Sequence, residues 1–473
     1  MASRDPDRPN IVFFLSDDQG PWAVGYAGND EIITPNIDAL AKSGIHFSNC
    51  FCTSPVCSPA RASILTGAIP SSHGVHDWLD EGEKGITYLQ GQISLTDYLS
   101  KANYICGISG KWHMGNSIIA QHGFSHWYVH QKGGGDYNRA PMIRNGKPVI
   151  ESGYITDLIT DDALSFIEGQ LESEQPFYAS IHYTAPHAPW IDQHPVEYTS
   201  LYDHCPFATC KQAPKHPWAR FSTDPNSTPE SVLRDPTEHL KGYYGAVTAM
   251  DANIGRIVNY LETHNLLSST LIVFMSDNGF SCGQYGFWGK GNGTYPLNLF
   301  EYSIKVPALM SQQGRIAPNI VSDALISGYD ILPTLLSYVG IEYSDPTKPG
   351  RDLSFLLENG REERANEHPI VIFSEYGGVR MIRTKAWKYV HRYDDCENNE
   401  LYHLAEDPEE LHNLAQDPTT KNKQRQLLAE MESWFSTYQR DDRDGKHLPV
   451  TGGGQTDLSE NHTPTQSAFN PFV

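Results

Sequence analysis

The sequence predicts an α/β protein built on a large, mostly parallel or mixed sheet sandwiched by helices. Continuous apolar runs recur at IVFFLS (11–16), YICGIS (104–109), FYASIHY (177–183) and LIVFMS (271–276), the pattern of strands buried on both faces. Helical patterns lie between them at 34–44, 93–102, 155–171 and 239–264, and strand alternating with helix implies parallel neighbours. Each run ends in polar residues. In such sheets ligands bind beyond the carboxyl ends of the strands, so the four ends are expected to converge on one site.

The first run empties into Asp17-Asp18 and the last into Asp277-Asn278. Either alone reads as a cap or a turn, Asp277-Asn278-Gly279 above all. Together they offer only oxygen ligands, which suits a hard cation, Ca²⁺ in the first place and Mg²⁺ as the alternative. Between them lies CSPARASILTG (57–67), where Ser58 reads as an N-cap, Pro59 as the first helical residue and Gly67 as the stop. That would put Cys57 just outside a helix N-terminus, where free N–H groups favour an anion, with Arg61 adding a planar charged fork one turn on. The bland alternative is a small buried cysteine beside a surface arginine. GKWHMG after the second run carries Lys111 and His113, TAPHAP after the third carries His187, and FWGKGNG carries Lys290. Each could be an ordinary surface lysine or core histidine on its own. Delivered to one sheet edge, they are expected to converge on a single site.

Lys plus Arg is 35 and Asp plus Glu is 57, a formal charge of −22. That excess of acid argues against nucleic acid or an anionic membrane as the main partner. The apolar run after MASRDPDRPN is too short for a signal peptide and no stretch is long enough to span a bilayer. The expectation is therefore a soluble, cytoplasmic protein, or a periplasmic or secreted one if a leader has been removed. Eight cysteines at uneven spacing do not make a disulfide framework. In YDHCPFATCKQAPKHPW (202–218), His204, Cys205, Cys210 and His216 offer zinc-ligand chemistry, but at a spacing that matches no standard zinc module. TGGGQTDLSENHTPTQ reads as a flexible or draped tail.

Cys57-Ser58-Pro59-Ala60-Arg61 followed by Leu65-Thr66-Gly67 resembles the signature of the type I, formylglycine-dependent sulfatases of the alkaline phosphatase-like superfamily. The likeness continues through Asp17-Asp18, Gly110-Lys111-Trp112-His113, His187, Asp277-Asn278-Gly279 and Lys290, and spans about residues 8–415. It implies a catalytic unit over 1–360 and a subdomain over 361–473. MIRTKAWKYV (381–390) and LYHLAEDPEELHNLA (401–415) are similar to the family's small C-terminal antiparallel sheet and closing helix.

The resemblance also implies the chemistry. Cys57 would be oxidised to formylglycine by a formylglycine-generating or anaerobic sulfatase-maturating enzyme, then hydrated to a geminal diol that joins Asp17, Asp18, Asp277 and Asn278 as a ligand of the cation. One hydroxyl would attack the sulfur of a sulfate ester while Arg61, Lys111 and Lys290 neutralise its oxygens. His187 or Lys290 would protonate the leaving alcohol, and His113 would deprotonate the second hydroxyl to expel sulfate. The competing classes are a phosphatase, phosphodiesterase or phosphonate monoester hydrolase of the same superfamily, and a silent sugar-binding protein. A carbohydrate sulfate is the favoured substrate. Its rim is expected from His76, Asp77 and Trp78, from Trp190, from the 202–218 loop, and from turns near Arg380, Arg383 and His391, although either tryptophan would serve equally as core.

Overall fold

The computed structural model describes residues 8–80, 85–220, 235–358 and 371–471. The expected boundary at 360 lies outside these residues. A ten-stranded sheet forms the centre, with strands in the spatial order 320–322, 45–47, 308–311, 270–276, 10–16, 177–182, 105–111, 124–130, 141–144 and 147–150. The five middle strands, from Thr270–Ser276 to Phe124–His130, are mutually parallel. The outer pairs are mostly antiparallel, which makes the whole sheet mixed.

Alternation along the buried strands divides the core in two. Phe13, Leu15, Val273 and Met275 face one side, where they join Ala60, Ile64 and Leu65 of the helix Cys57–Thr66. Val12, Phe14, Ile272 and Phe274 face the other and meet helices Ile155–Glu168 and Thr237–Thr263 through Ile159, Ala163, Ala246, Met250 and Ile254. A side chain such as Phe14 or Phe274, fully withdrawn from water, contributes about 1.5–3 kcal/mol by burial.

A four-stranded antiparallel sheet, Ile372–Tyr376, Val379–Arg383, Trp387–Arg392 and Glu400–His403, forms the C-terminal unit. Residues 404–415 are not helical. Asp407 instead accepts from the N–H groups of Leu411 and His412 and closes a turn. The covering helix is Lys421–Tyr438, which packs Leu427, Met431 and Phe435 onto the sheet and stacks Trp434 on Phe373 at 4.2 Å. No helix among the described residues is long and apolar enough to cross a membrane.

Candidate active site

Strands 10–16 and 270–276 pair in register up to Ser16 opposite Ser276, so both end at the same level. Asp17-Asp18 and Asp277-Asn278 therefore leave the sheet side by side. Asp18 turns with φ +62°, a conformation aspartate tolerates, and its N–H donates to Asp277 Oδ1 at 3.3 Å. Lys111 is the last residue of its own strand and reaches the same edge. Gly110 before it has φ +118°, and a Cβ there would fall 1.9 Å from the carbonyl oxygen of His182, so only glycine fits.

The signature helix runs Cys57–Thr66 and ends at Gly67 with φ +68°. Its start differs from the expectation. Val56 is the extended N-cap residue, Cys57 is already the first helical residue, and Ser58 caps nothing; its hydroxyl accepts from Leu79 N–H instead. Cys57 is buried, and burial pushes its thiol up although Lys111 and Lys290 pull the other way. Lys290 Nζ lies 3.5 Å from Cys57 Sγ.

Three carboxylates and three cations are interleaved here. Arg61 Nε donates to Asp277 Oδ2 at 2.8 Å, and its Nη1 to the Lys111 carbonyl at 3.0 Å. Lys111 Nζ contacts Asp17 Oδ2 at 2.5 Å, and Lys290 Nζ pairs with Asp18 Oδ1. Burial alone would raise the Asp17 carboxyl, but Lys111, then His187, Arg61 and Lys290 hold it far below the usual range. Burial pushes Asp277 up to about 6 against the pull of Arg61, because Asp17 adds a second negative charge.

After these pairings, Asp17 Oδ1, Asp18 Oδ2 and Asn278 Oδ1 have no hydrogen-bond partner among the described residues, and neither has Arg61 Nη2. Three buried, unpartnered acceptor oxygens fit a hard cation, and an unpartnered guanidinium nitrogen beside them fits an anion. Atoms of Asp17, Asp18 and His187 lie within 4.8 Å of one another, so His187, foreseen as a proton donor, also stands among the candidate ligands. Asp277 is more engaged than foreseen. Its Oδ1 accepts from the N–H groups of Asp18 and Asn278, and its Oδ2 from Arg61.

Both histidines are oriented by backbone carbonyls. His113 Nε2 is 3.2 Å from Leu79 O, which as a carbonyl can only accept, so Nε2 carries the proton and Nδ1 presents a free lone pair. His187 Nδ1 is 2.6 Å from Ala188 O, so its free nitrogen is Nε2, 3.6 Å from Asp18 Oδ2. Burial, then Lys111, holds His113 well below the ordinary histidine range. Burial also lowers His187, against the pull of Asp17 and Asp18. A loop missing from the sequence expectations lies on both rings. A Cβ at Gly133 would fall 2.2 Å from the His113 ring, and one at Gly134 would fall 3.2 Å from His187. The run KGGGDY (132–137) was the available signal, since clustered glycines mark close backbone approach. Tyr243, also unforeseen, donates its hydroxyl to Asp18 O and accepts from Gly20 N–H.

The expected substrate rim is placed differently. His76 and Asp77 are fully buried beneath the C-terminal tail, and Trp78 Nε1 donates to Gly452 O. Trp190 is core, its Nε1 bound to Pro186 O and its ring packed against Tyr243, Phe280 and Trp288. Arg380 pairs with Glu375 and Asp444, and Arg383 with Glu301, so both are structural cations rather than rim groups. His391 is hydrogen-bonded to the Tyr389 hydroxyl. In the 202–218 loop, Cys205 and Cys210 are free. Cys210 is buried against the Cys282 carbonyl and accepts from Gln284, and none of His204, Cys205, Cys210 and His216 belongs to a metal-ligand group among the described residues.

A family model described as Sulfatase matches residues 9–341, and another described as N-sulphoglucosamine sulphohydrolase, C-terminal, matches residues 283–436. An N-acetylglucosamine-6-O-sulfatase of Bacteroides thetaiotaomicron is 28% identical, over 96% of this chain and 91% of its own length. An ulvan-active sulfatase of Formosa agariphila is 29% identical, over 90% of this chain and 81% of its own length. A solved structure in complex with its substrate D-glucosamine-2-N,6-O-disulfate has a TM-score of 0.77 at 25% identity, covering 93% of this chain and 99% of that one.

The ion pairing makes one stability prediction. Arg61→Ala strands the buried Asp277 carboxylate beside Asp17, and urea denaturation should show a loss of about 3–5 kcal/mol. A loss below about 1 kcal/mol, the value of an exposed pair, would contradict the pairing described here.

Proposed function

The chain belongs to the sulfatase family, and from that premise we propose that it hydrolyses a sulfate monoester carried by a sugar, using an oxidised form of Cys57. The carrying observation is the position of Cys57. It is the first residue of a wholly buried helix, 3.5 Å from Lys290 Nζ, with its thiol pushed up by burial and so poorly suited to act as a thiolate. The sugar is supported by the relatives named for an N-acetylglucosamine sulfate and for ulvan, and by the structural neighbour bound to a disulfated glucosamine.

Each polar side chain then has a task. Arg61 Nη2, held in place by Nε on Asp277 and Nη1 on the Lys111 carbonyl, is free to donate to a sulfate oxygen. Lys111 and Lys290 add positive charge where the leaving sulfate accumulates negative charge. His113 offers Nδ1 as a proton acceptor, while His187 Nε2, once protonated, or Lys290 can donate to the departing alcohol. The aldehyde made from Cys57, installed by a maturating enzyme, supplies two hydroxyls on one carbon when hydrated, a route to product release that a serine lacks. Ca²⁺ fits the unpartnered oxygens of Asp17, Asp18 and Asn278, with Asp277 beside them, and when bound supplies positive charge that acidifies a neighbouring hydroxyl.

Two outcomes test this reading. On a panel of mono-sulfated sugars, an aryl sulfate and the matching aryl phosphate, the protein should release sulfate from at least one sugar faster than phosphate from the aryl ester. Preference for the phosphate would reassign it within the superfamily, and no turnover on any ester would favour a silent sugar-binding protein. Elemental analysis should find about one Ca²⁺ per chain, lost in Asp18→Ala with the circular dichroism spectrum kept. Stoichiometric zinc instead would make His187 a ligand and overturn the oxygen-only assignment.

A further inference from the structure

The tail beyond residue 436, where the C-terminal family match ends, is joined to the catalytic centre by an unbroken chain of hydrogen bonds. Gln455 is fully buried, and all four of its polar groups are used. Its N–H donates to Trp78 O at 2.7 Å and its carbonyl accepts from Asp80 N–H at 2.8 Å, a one-residue parallel bridge that brackets Leu79. Its side-chain oxygen accepts from His76 N–H at 2.8 Å, and its amide nitrogen donates to Gly74 O at 3.0 Å. Gly454 N–H donates to Asp77 Oδ2 at 3.1 Å. Gly454 has φ +107°, and a Cβ there would touch the Trp78 indole at 3.0 Å, so the glycines of TGGGQ let this backbone lie flat on residues 76–80.

Leu79, clamped in that way, reaches two groups of the active site. Its N–H donates to Ser58 Oγ at 3.1 Å, next to Cys57, and its carbonyl accepts from His113 Nε2 at 3.2 Å. His113 has φ +52°, a backbone conformation held only by its surroundings. We propose that the 448–470 tail is a positioning strap: by fixing the Leu79 peptide it keeps the His113 proton on Nε2, turns Nδ1 to the reaction, and steadies Ser58 beside Cys57. Gln455 and Gly454 are positioning residues, whose hydrogen bonds reach the site only through residues 74–80. The proposal rests on the sulfatase reading for the task of His113, but the hydrogen-bond chain stands without it.

The experiment lifts the strap without altering the machinery. Gly454→Val places a side chain into Trp78, and a truncation ending at residue 447 removes the segment. Kinetics use a small aryl sulfate, and the tautomer of His113 is read from ring ¹⁵N resonances, assigned by their absence in His113→Gln. The strap predicts that in folded variants kcat falls at least about tenfold with KM within about twofold, and that the Nε2–H signature of His113 is lost. Unchanged kcat and an unchanged tautomer would overturn it. A rise in KM alone would make the tail a pocket wall, and failure of both variants to fold would make it structural; either overturns positioning. Absence of activity in the wild type would instead count against the sulfatase reading, while the ¹⁵N signature still decides the strap.

Discussion

Everything in this site follows from burying three carboxylates, Asp17, Asp18 and Asp277, at the ends of two strands that stop at the same level. Three unit charges at such separations repel strongly in a low-dielectric interior, so the pocket requires compensating positive charge. Arg61 supplies it from the helix, Lys111 from strand 105–111, which lies beyond strand 177–182 in the sheet, and Lys290 from the loop after Trp288–Gly289. Each comes from a different element, so the electrostatic demand of the strand ends also dictates where the signature helix must lie. The oxygens still unpartnered and the free Arg61 Nη2 are where a cation and an anion can be bound together.

Such a cluster is not a source of stability, because desolvating six charged groups offsets much of their attraction. The stability comes from the two apolar layers against the central strands and from the C-terminal sheet under helix 421–438. That division of labour gives the site its precision. Rigid strands carry Lys111 and the peptide before Asp17, and a fully buried helix carries Cys57 and Arg61. The two histidines, with free nitrogens fixed by the carbonyls of Leu79 and Ala188, sit on loops, and the backbone at Gly133 and Gly134 lies close against their rings.

The strands and the polar residues at their ends were legible because both signals are local: a buried parallel strand is a continuous apolar run, and the groups beyond it must be polar to serve a site. The stretch 57–67 announced its glycine stop for the same reason. Its start was misread because Ser58 and Pro59 satisfy capping rules, while the structure uses the Ser58 hydroxyl on Leu79 instead. His76, Asp77 and Trp78 looked like rim residues because polar and aromatic groups near a signature suggest a ligand. Their real partners are 299 to 379 residues away, and no local pattern encodes Tyr376 and Gly454 meeting Asp77. Trp190 takes the core alternative, and Arg380 and Arg383 leave the rim for the same reason: burial with a partner, rather than residue type, decides between core and rim. The glycines at 133–134 carried a readable signal whose partners, two histidines from other strand ends, only the fold supplies.

In the proposed reaction Cys57 is a precursor and not itself the nucleophile. Mass spectrometry of the peptide containing residues 50–61, on preparations of graded specific activity, tests it most directly. An aldehyde is expected in place of the thiol at position 57, in a fraction that rises in proportion to sulfatase activity. Fully active protein with an intact Cys57 thiol would contradict it.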